Sequence, residues 1–161
     1  SDSHFALPRV TASDAELARD LAPFKTMADV ESAMTAHIIY DAWDSERPAT
    51  CSPFVIKEII RGCIGFSGLL MSDDLDMKAL DFAIKGGLRE RAEAALSAGC
   101  EVVLQCSGKL REMEQAGSGC RALSGEALER AQKVEKIAKR PVREFDAKAA
   151  WARYNELMNL S

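Results

Sequence analysis

Three apolar runs begin at Ala33, Gly68 and Glu101, about 34 residues apart, and a stretch of helical periodicity separates each from the next. Parallel strands need a long crossover of this kind, and such crossovers are right-handed. The recurrence predicts an α/β fold with a β-α-β-α-β core. Ala33–Tyr40 (AMTAHIIY) reads as one buried strand, Gly68–Met71 as a second and Glu101–Cys106 as a third. Spacing leaves two architectures open, a doubly wound sheet or part of a (β/α)8 barrel. A closed barrel takes about 250 residues, so three such strands would form only a piece of one.

Helix signals fill the intervals. Asp14–Lys25 sets Leu17 and Leu21 four apart, with Pro23 bringing an irregular end. Ser52-Pro53 supplies a cap and a first helical residue, and the helix presents Val55, Ile56, Ile59 and Ile60 before stopping near Gly62. Leu88–Ala98 ends at Gly99, a residue suited to the left-handed position after a helix. Past Cys106 the chain is polar and helical, with Glu126–Lys139 and Asp146–Leu160 as its last two helices.

Charge and cysteine usage narrow the class. Lys and Arg number 21 against 25 Asp and Glu, a net charge of −4, so the basic footprint of a nucleic-acid binder is missing. No apolar run approaches the ~18 residues of a membrane span, and Ser1-Asp2-Ser3-His4 lacks the basic and apolar regions of a signal peptide. The five cysteines, at 51, 63, 100, 106 and 120, cannot all pair and show no zinc spacing. Reduced thiols and a cytoplasmic location are the expectation.

Polar residues that could carry chemistry cluster in a few places. Ser72-Asp73-Asp74-Leu75-Asp76 puts three carboxylates just after a strand, at the end where parallel α/β folds build their sites. There a carboxylate can act as nucleophile, base or metal ligand; the competing reading is the cap of a helix. Asp2-Ser3-His4 sets an acid two residues from an imidazole, which the carboxylate could orient as a proton shuttle. The plainer reading is a solvated terminus. His37, inside the first apolar run, reads as core or as a pocket-lining residue. Cys106 has no neighbouring triad partner and reads as core packing. Tyr40 and Trp43 read as packing, and Gly86-Gly87 is too sparse for a phosphate loop.

In order along the chain stand Asp2-Ser3-His4 with Ala6-Leu7-Pro8, Met34-Thr35-Ala36-His37, Pro48-Ala49-Thr50 with Ser52, Ile59-Ile60-Arg61, Gly68 through Met77, and Ala98-Gly99-Cys100-Glu101. Together these pieces resemble family 3 glycoside hydrolases, above all the bacterial β-N-acetylglucosaminidases of peptidoglycan recycling. The resemblance implies that the chain, residues 1–161, is the C-terminal portion of one TIM-type (β/α)8 barrel domain, about three βα units, whose first half is absent. It implies retaining hydrolysis of terminal β-linked N-acetylglucosamine from muropeptide or related glycans through a covalent glycosyl-enzyme. Asp73 matches the nucleophile, His4 the general acid/base and Asp2 its carboxylate partner. His37 matches a recurrent histidine with a supporting place in the substrate pocket. Asp74 and Asp76 match no catalytic role. No metal or cofactor is implied.

The chain departs from that pattern twice. Cys63 stands where a charged or amide residue is usual, late in a helix, so little effect is expected. The family's Lys-His segment, Gly-rich loop and more distant Asp and Arg, which hold the sugar, are missing. The expectation is therefore an inactive fragment that docks with its missing half or with a second copy of itself, because its sheet edges and barrel face would be unpaired. Asp2 and His4 are expected to be mobile. Two rivals remain, a non-enzymatic α/β binding module and a metal-dependent hydrolase using the acidic cluster.

Overall fold

A computed structural model of the chain describes residues 5–141 and 144–158. Asp2 and His4 lie outside the described residues, and with them the expectation about their mobility.

Short strand β1 (Arg9–Val10) leads into α1 (Asp14–Asp20). Ser13 caps α1 reciprocally with Glu16, satisfying two backbone donors that the first turn leaves free. The helical stretch then breaks at Leu21, and α2 (Ala22–Thr26) restarts with Pro23 in its first turn, where proline's missing N–H costs nothing.

The run AMTAHIIY does not form one strand. It yields β2 (Ser32–Met34) and β3 (Ile39–Tyr40), which belong to different sheets. The physical cause lies between them. Thr35 and His37 turn into the interior, where their polar atoms need side-chain partners that a strand ladder cannot give. The chain leaves the first sheet, and Ile39–Tyr40 pairs in parallel with Arg9–Val10 instead.

After a 3₁₀ turn (Ala49–Cys51), the Ser52 hydroxyl accepts the Val55 amide, as a cap should. The following helix (Val55–Ile64) is wound with i→i+5 bonds and runs past Gly62 to Gly65. Gly65, at φ 80°, is the residue whose backbone needs glycine, so the stop comes three residues later than the first glycine suggested.

Strand β4 (Leu69–Asp74) is followed by α3 (Ala79–Ala83), α4 (Leu88–Ala98) and β5 (Val102–Leu104). Three helices complete the described chain: α5 (Leu110–Ser118), α6 (Gly125–Ala138) and α7 (Ala147–Leu157). The main sheet has the order β2-β4-β5, all parallel, with Ala33 opposite Leu70 and Met71 opposite Val102. This confirms the α/β class and the parallel sense. The described strands form one three-stranded and one two-stranded sheet and do not close a barrel.

One face of the main sheet is covered. Leu70, Leu75 and Leu80 are wholly buried and meet Ala92 and Ala95 of α4, together with Cys51, Ile56, Phe66 and Cys100. Burying one such leucine stabilises the fold by about 2 kcal/mol. At the end of α5, a Cβ on Gly119 would fall 2.3 Å from the Arg89 carbonyl oxygen, so only glycine allows α5 to close against α4. The other face is more open. Met34 is 54% exposed and β5 is only half-buried along its length. An apolar cleft of about 580 Å³ lies between α1–α2 and the Val55–Ile64 helix.

Candidate active site

Because the three strands of the main sheet run parallel, their carboxyl ends meet at one edge. That edge gathers Thr35 after β2, Asp73 and Asp74 at the end of β4, and Gln105 to Ser107 after β5. The first two acids of the cluster are thus inside the strand, not beyond it. The next helix starts at Ala79 after Lys78, so none of the three carboxylates caps it.

The ladder is irregular at the critical point. Met71 pairs with Val102 and Asp74 with Leu104, so β4 advances three residues while β5 advances two. The extra residue falls at Ser72–Asp73 and makes a bulge, a device that re-aims a side chain at the end of a strand. The buried Ser72 hydroxyl stands in for a backbone acceptor by taking the Leu104 amide at 3.1 Å.

Asp73 is half-buried, and its Oδ1 accepts the Asp74 amide at 2.8 Å. Asp74 turns its carboxylate onto the loop: Oδ1 accepts the Asp76 amide at 3.2 Å and the Cys106 amide at 3.1 Å. It therefore ties β4's end to the loop after β5. Asp76 is exposed. Leu75 is wholly buried; its amide donates to Leu104 O, and Arg91 Nη1 donates to its carbonyl at 2.8 Å. Arg91 also pairs with Asp81.

His37 has no exposed surface. Its Nε2 lies 2.9 Å from the Asp74 carbonyl oxygen, and its Nδ1 lies 2.8 Å from Thr50 Oγ1, which in turn lies 2.9 Å from Thr35 Oγ1. Burial pushes the imidazole pKa below its ordinary value, against the Asp74 carbonyl and the Asp73 and Asp74 carboxylates, which favour the proton.

Cys106 is exposed at the rim, not packed in the core as expected. Desolvation, followed by the Asp74 carboxylate, holds its thiol above the usual value. Tyr40 and Trp43 do pack on each other, with ring centroids 5.0 Å apart, and Trp43 Nε1 donates to Asp14. The apolar cleft and a second cavity of about 400 Å³ at Gly99–Glu101 and Arg121–Ser124 are not lined by Asp73, Asp74 or Asp76. Among the described residues no three His, Cys, Asp or Glu side chains are grouped to hold a metal ion, and no helix is long and apolar enough to cross a membrane.

Sequence reasoning missed Thr35, Thr50 and Arg91. Two signals were present. Thr35 and His37 are polar residues two apart inside an apolar run. Arg91 stands on the buried stripe of α4, with Leu88, Ala92 and Ala95 at i−3, i+1 and i+4.

The model of the glycosyl hydrolase family 3 N terminal domain matches residues 1–140. A curated β-hexosaminidase of Tolumonas auensis is 42% identical over 113 residues, 68% of this chain and 33% of the relative. One from Alkalilimnicola ehrlichii is 45% identical over 109 residues. The chain thus spans about a third of the length of the curated relatives it matches. Among solved structures, a glycoside hydrolase family 3 β-N-acetylglucosaminidase from Paenibacillus sp. str. FPU-7 superposes with a TM-score of 0.72 at 29% identity, covering 91% of this chain and 31% of that one. NagZ from Neisseria gonorrhoeae, in complex with N-trifluoroacetyl-D-glucosamine, gives 0.68 at 32% identity, covering 87% and 42%.

Proposed function

The chain belongs to glycosyl hydrolase family 3, and from that premise we propose that it carries the nucleophile-bearing part of a β-N-acetylhexosaminidase acting on terminal β-linked N-acetylglucosamine. One observation carries the reading: Asp73 stands on a bulge at the carboxyl edge of a parallel sheet, half-buried, between the ladder pairs at Met71 and Asp74.

In this reading an Asp73 oxygen attacks the anomeric carbon as the glycosidic C–O bond breaks, and a glycosyl ester forms. Protonated His4, oriented by Asp2, gives its proton to the leaving oxygen. His4 then takes a proton from water, which attacks the anomeric carbon and releases the Asp73 carboxylate. Two displacements retain the anomeric configuration. An imidazole suits the second role because its ordinary pKa lies near ~6.5.

The substrate class follows the names of the relatives; peptidoglycan fragments are the proposed natural source. The half-open sheet face and the exposed Met34 support a domain in which further strands continue this sheet into a (β/α)8 barrel, supplied by a first half or a second copy of the chain. The five free cysteines support a reducing, cytoplasmic setting.

The test uses the complete protein and a chromogenic β-N-acetylglucosaminide. Proton NMR of the first product formed should show the β-anomer, and the α-anomer would rule out the double displacement. His4→Ala should slow natural glycans more than aryl glycosides with good leaving groups, since a poor leaving group needs the acid most. Equal losses on both would remove His4 from the acid/base role.

A further inference from the structure

We propose that His37 is a positioning residue for Asp73: locked in its Nε2–H form by the Thr35–Thr50 hydroxyl pair, it holds the Asp74 carbonyl and fixes the backbone that presents the carboxylate. The inference rests on the reading of Asp73 as nucleophile.

The direction of every hydrogen bond in the chain follows from chemistry. A carbonyl oxygen only accepts, so the 2.9 Å contact requires a proton on Nε2. Burial, with Arg91, disfavours the charged ring against the pull of the Asp73 and Asp74 carboxylates, and in the neutral ring with its proton on Nε2 the Nδ1 atom is a bare acceptor. Thr50 must then donate to Nδ1, and its oxygen accepts from Thr35. Each hydroxyl proton has one assigned acceptor, and no other tautomer satisfies all three contacts. With both ring nitrogens engaged and no exposed surface, His37 does not touch a sugar; it acts through the strand.

Ladder geometry explains why a side chain is needed there. Thr35 N donates to Met71 O at 2.9 Å, the last rung between β2 and β4. A regular parallel ladder would next put the residue-37 amide on the Asp73 carbonyl. β2 has left the sheet by then, and the bulge has shifted β4 by one residue. The His37 ring supplies a donor from the same position in the chain, one carbonyl further on, where the Asp74 oxygen also accepts the Met77 amide at 3.2 Å. Arg91 takes the next carbonyl, that of Leu75. The two carbonyls that follow the Asp73–Asp74 peptide are therefore both held by buried side chains from other elements.

The experiment compares wild-type complete protein with Thr50→Val and Thr50→Ser. Valine keeps the shape but cannot donate to Nδ1; serine can. Thr50→Val should lower kcat about tenfold or more while KM stays within about twofold, because misplacement of a reacting group is felt in the chemical step. Thr50→Ser should restore it. Amide hydrogen exchange at Asp74 to Asp76 should quicken in Thr50→Val alone. Unchanged kcat in Thr50→Val, or a loss that serine does not restore, would overturn the inference. If the wild-type protein turns over no β-N-acetylglucosaminide, the glycosidase reading falls, and the exchange rates still decide the anchoring: rates unchanged by Thr50→Val overturn it. Should Thr50→Val fail to fold, His37→Phe, which keeps a planar ring but has no donor for the Asp74 carbonyl, takes its place, with a kcat-selective loss expected and an unaffected kcat refuting the role.

Discussion

Arg61 grips Glu101 across the amino-terminal edge of the main sheet, Nη2 to Oε2 at 3.1 Å, at the end opposite Asp73. The same carboxylate accepts the Leu70 amide at 2.9 Å and pairs with Arg130 of α6, while Arg61 also donates to the carbonyls of Phe66 and Gly68. One buried acid thus joins β4, β5, the Val55–Ile64 helix and α6. Glu101→Gln, which leaves two guanidinium groups short of a charged acceptor, should destabilise the fold by about 2 kcal/mol. Urea unfolding followed by circular dichroism measures this, and a loss below about 0.5 kcal/mol would show that the clasp is dispensable.

Asp73→Asn should lower turnover of an aryl β-N-acetylglucosaminide by at least about 1,000-fold, since the amide cannot form the glycosyl ester. Its Oδ1 can still accept the Asp74 amide, so unfolding free energy should change by less than about 1 kcal/mol. Near-normal turnover would remove Asp73 from the nucleophile's role.

His37 has a lowered pKa in the fold, so the unfolded chain binds more protons below ~6.5. Its contribution to stability is complete above that unfolded value. It is lost as pH falls from there toward the lower native value, at up to ~1.4 kcal/mol per pH unit within the window. Denaturation midpoints taken between pH 5 and 7.5 should slope for wild type and flatten for His37→Gln. Parallel slopes in both proteins would mean that another group is responsible.

Burial pushes the Cys51 thiol up to about 11 and that of Cys100 up to about 12, whereas Cys63, Cys106 and Cys120 are exposed. Thiolate is the reactive form, so iodoacetamide should label the exposed three in the native protein and reach Cys51 and Cys100 only on unfolding. Peptide mass mapping reads the outcome, and early labelling of Cys100 would contradict the packing around it.

Gly119→Ala should cost about 1–3 kcal/mol, because the added methyl meets the Arg89 carbonyl and the Ala92 side chain. Thermal unfolding reports the change; an unaltered midpoint would mean that α5 is free to move off α4.

What the sequence disclosed depended on range. The α/β class and α4 with its Gly99 stop are local patterns and were legible, as was the strand leading into Ser72-Asp73-Asp74. The split of AMTAHIIY was not, because it depends on Thr50 arriving from a distant loop to satisfy Thr35 and His37. β4's extra reach was hidden for the same reason: its rung at Leu104 uses the Ser72 hydroxyl across 32 positions. Arg91 passed unnoticed, although its place on the buried stripe of α4 sets it apart from the exposed charges of that helix. Cys106 reads as core in a one-dimensional pattern, yet it lies past the end of β5, where the chain has already reached the rim.

Strand side chains alternate between faces, so deleting one residue between Met71 and Asp74 would erase the bulge and swing the carboxylates that follow it to the opposite side. A substitution there alters one side chain, whereas a single-codon deletion moves every strand side chain that follows it. This strand therefore tolerates a change of spelling better than a change of length. A change of length in an exposed turn such as Lys85 to Gly87 would bring no such shift, because no strand ladder runs through it.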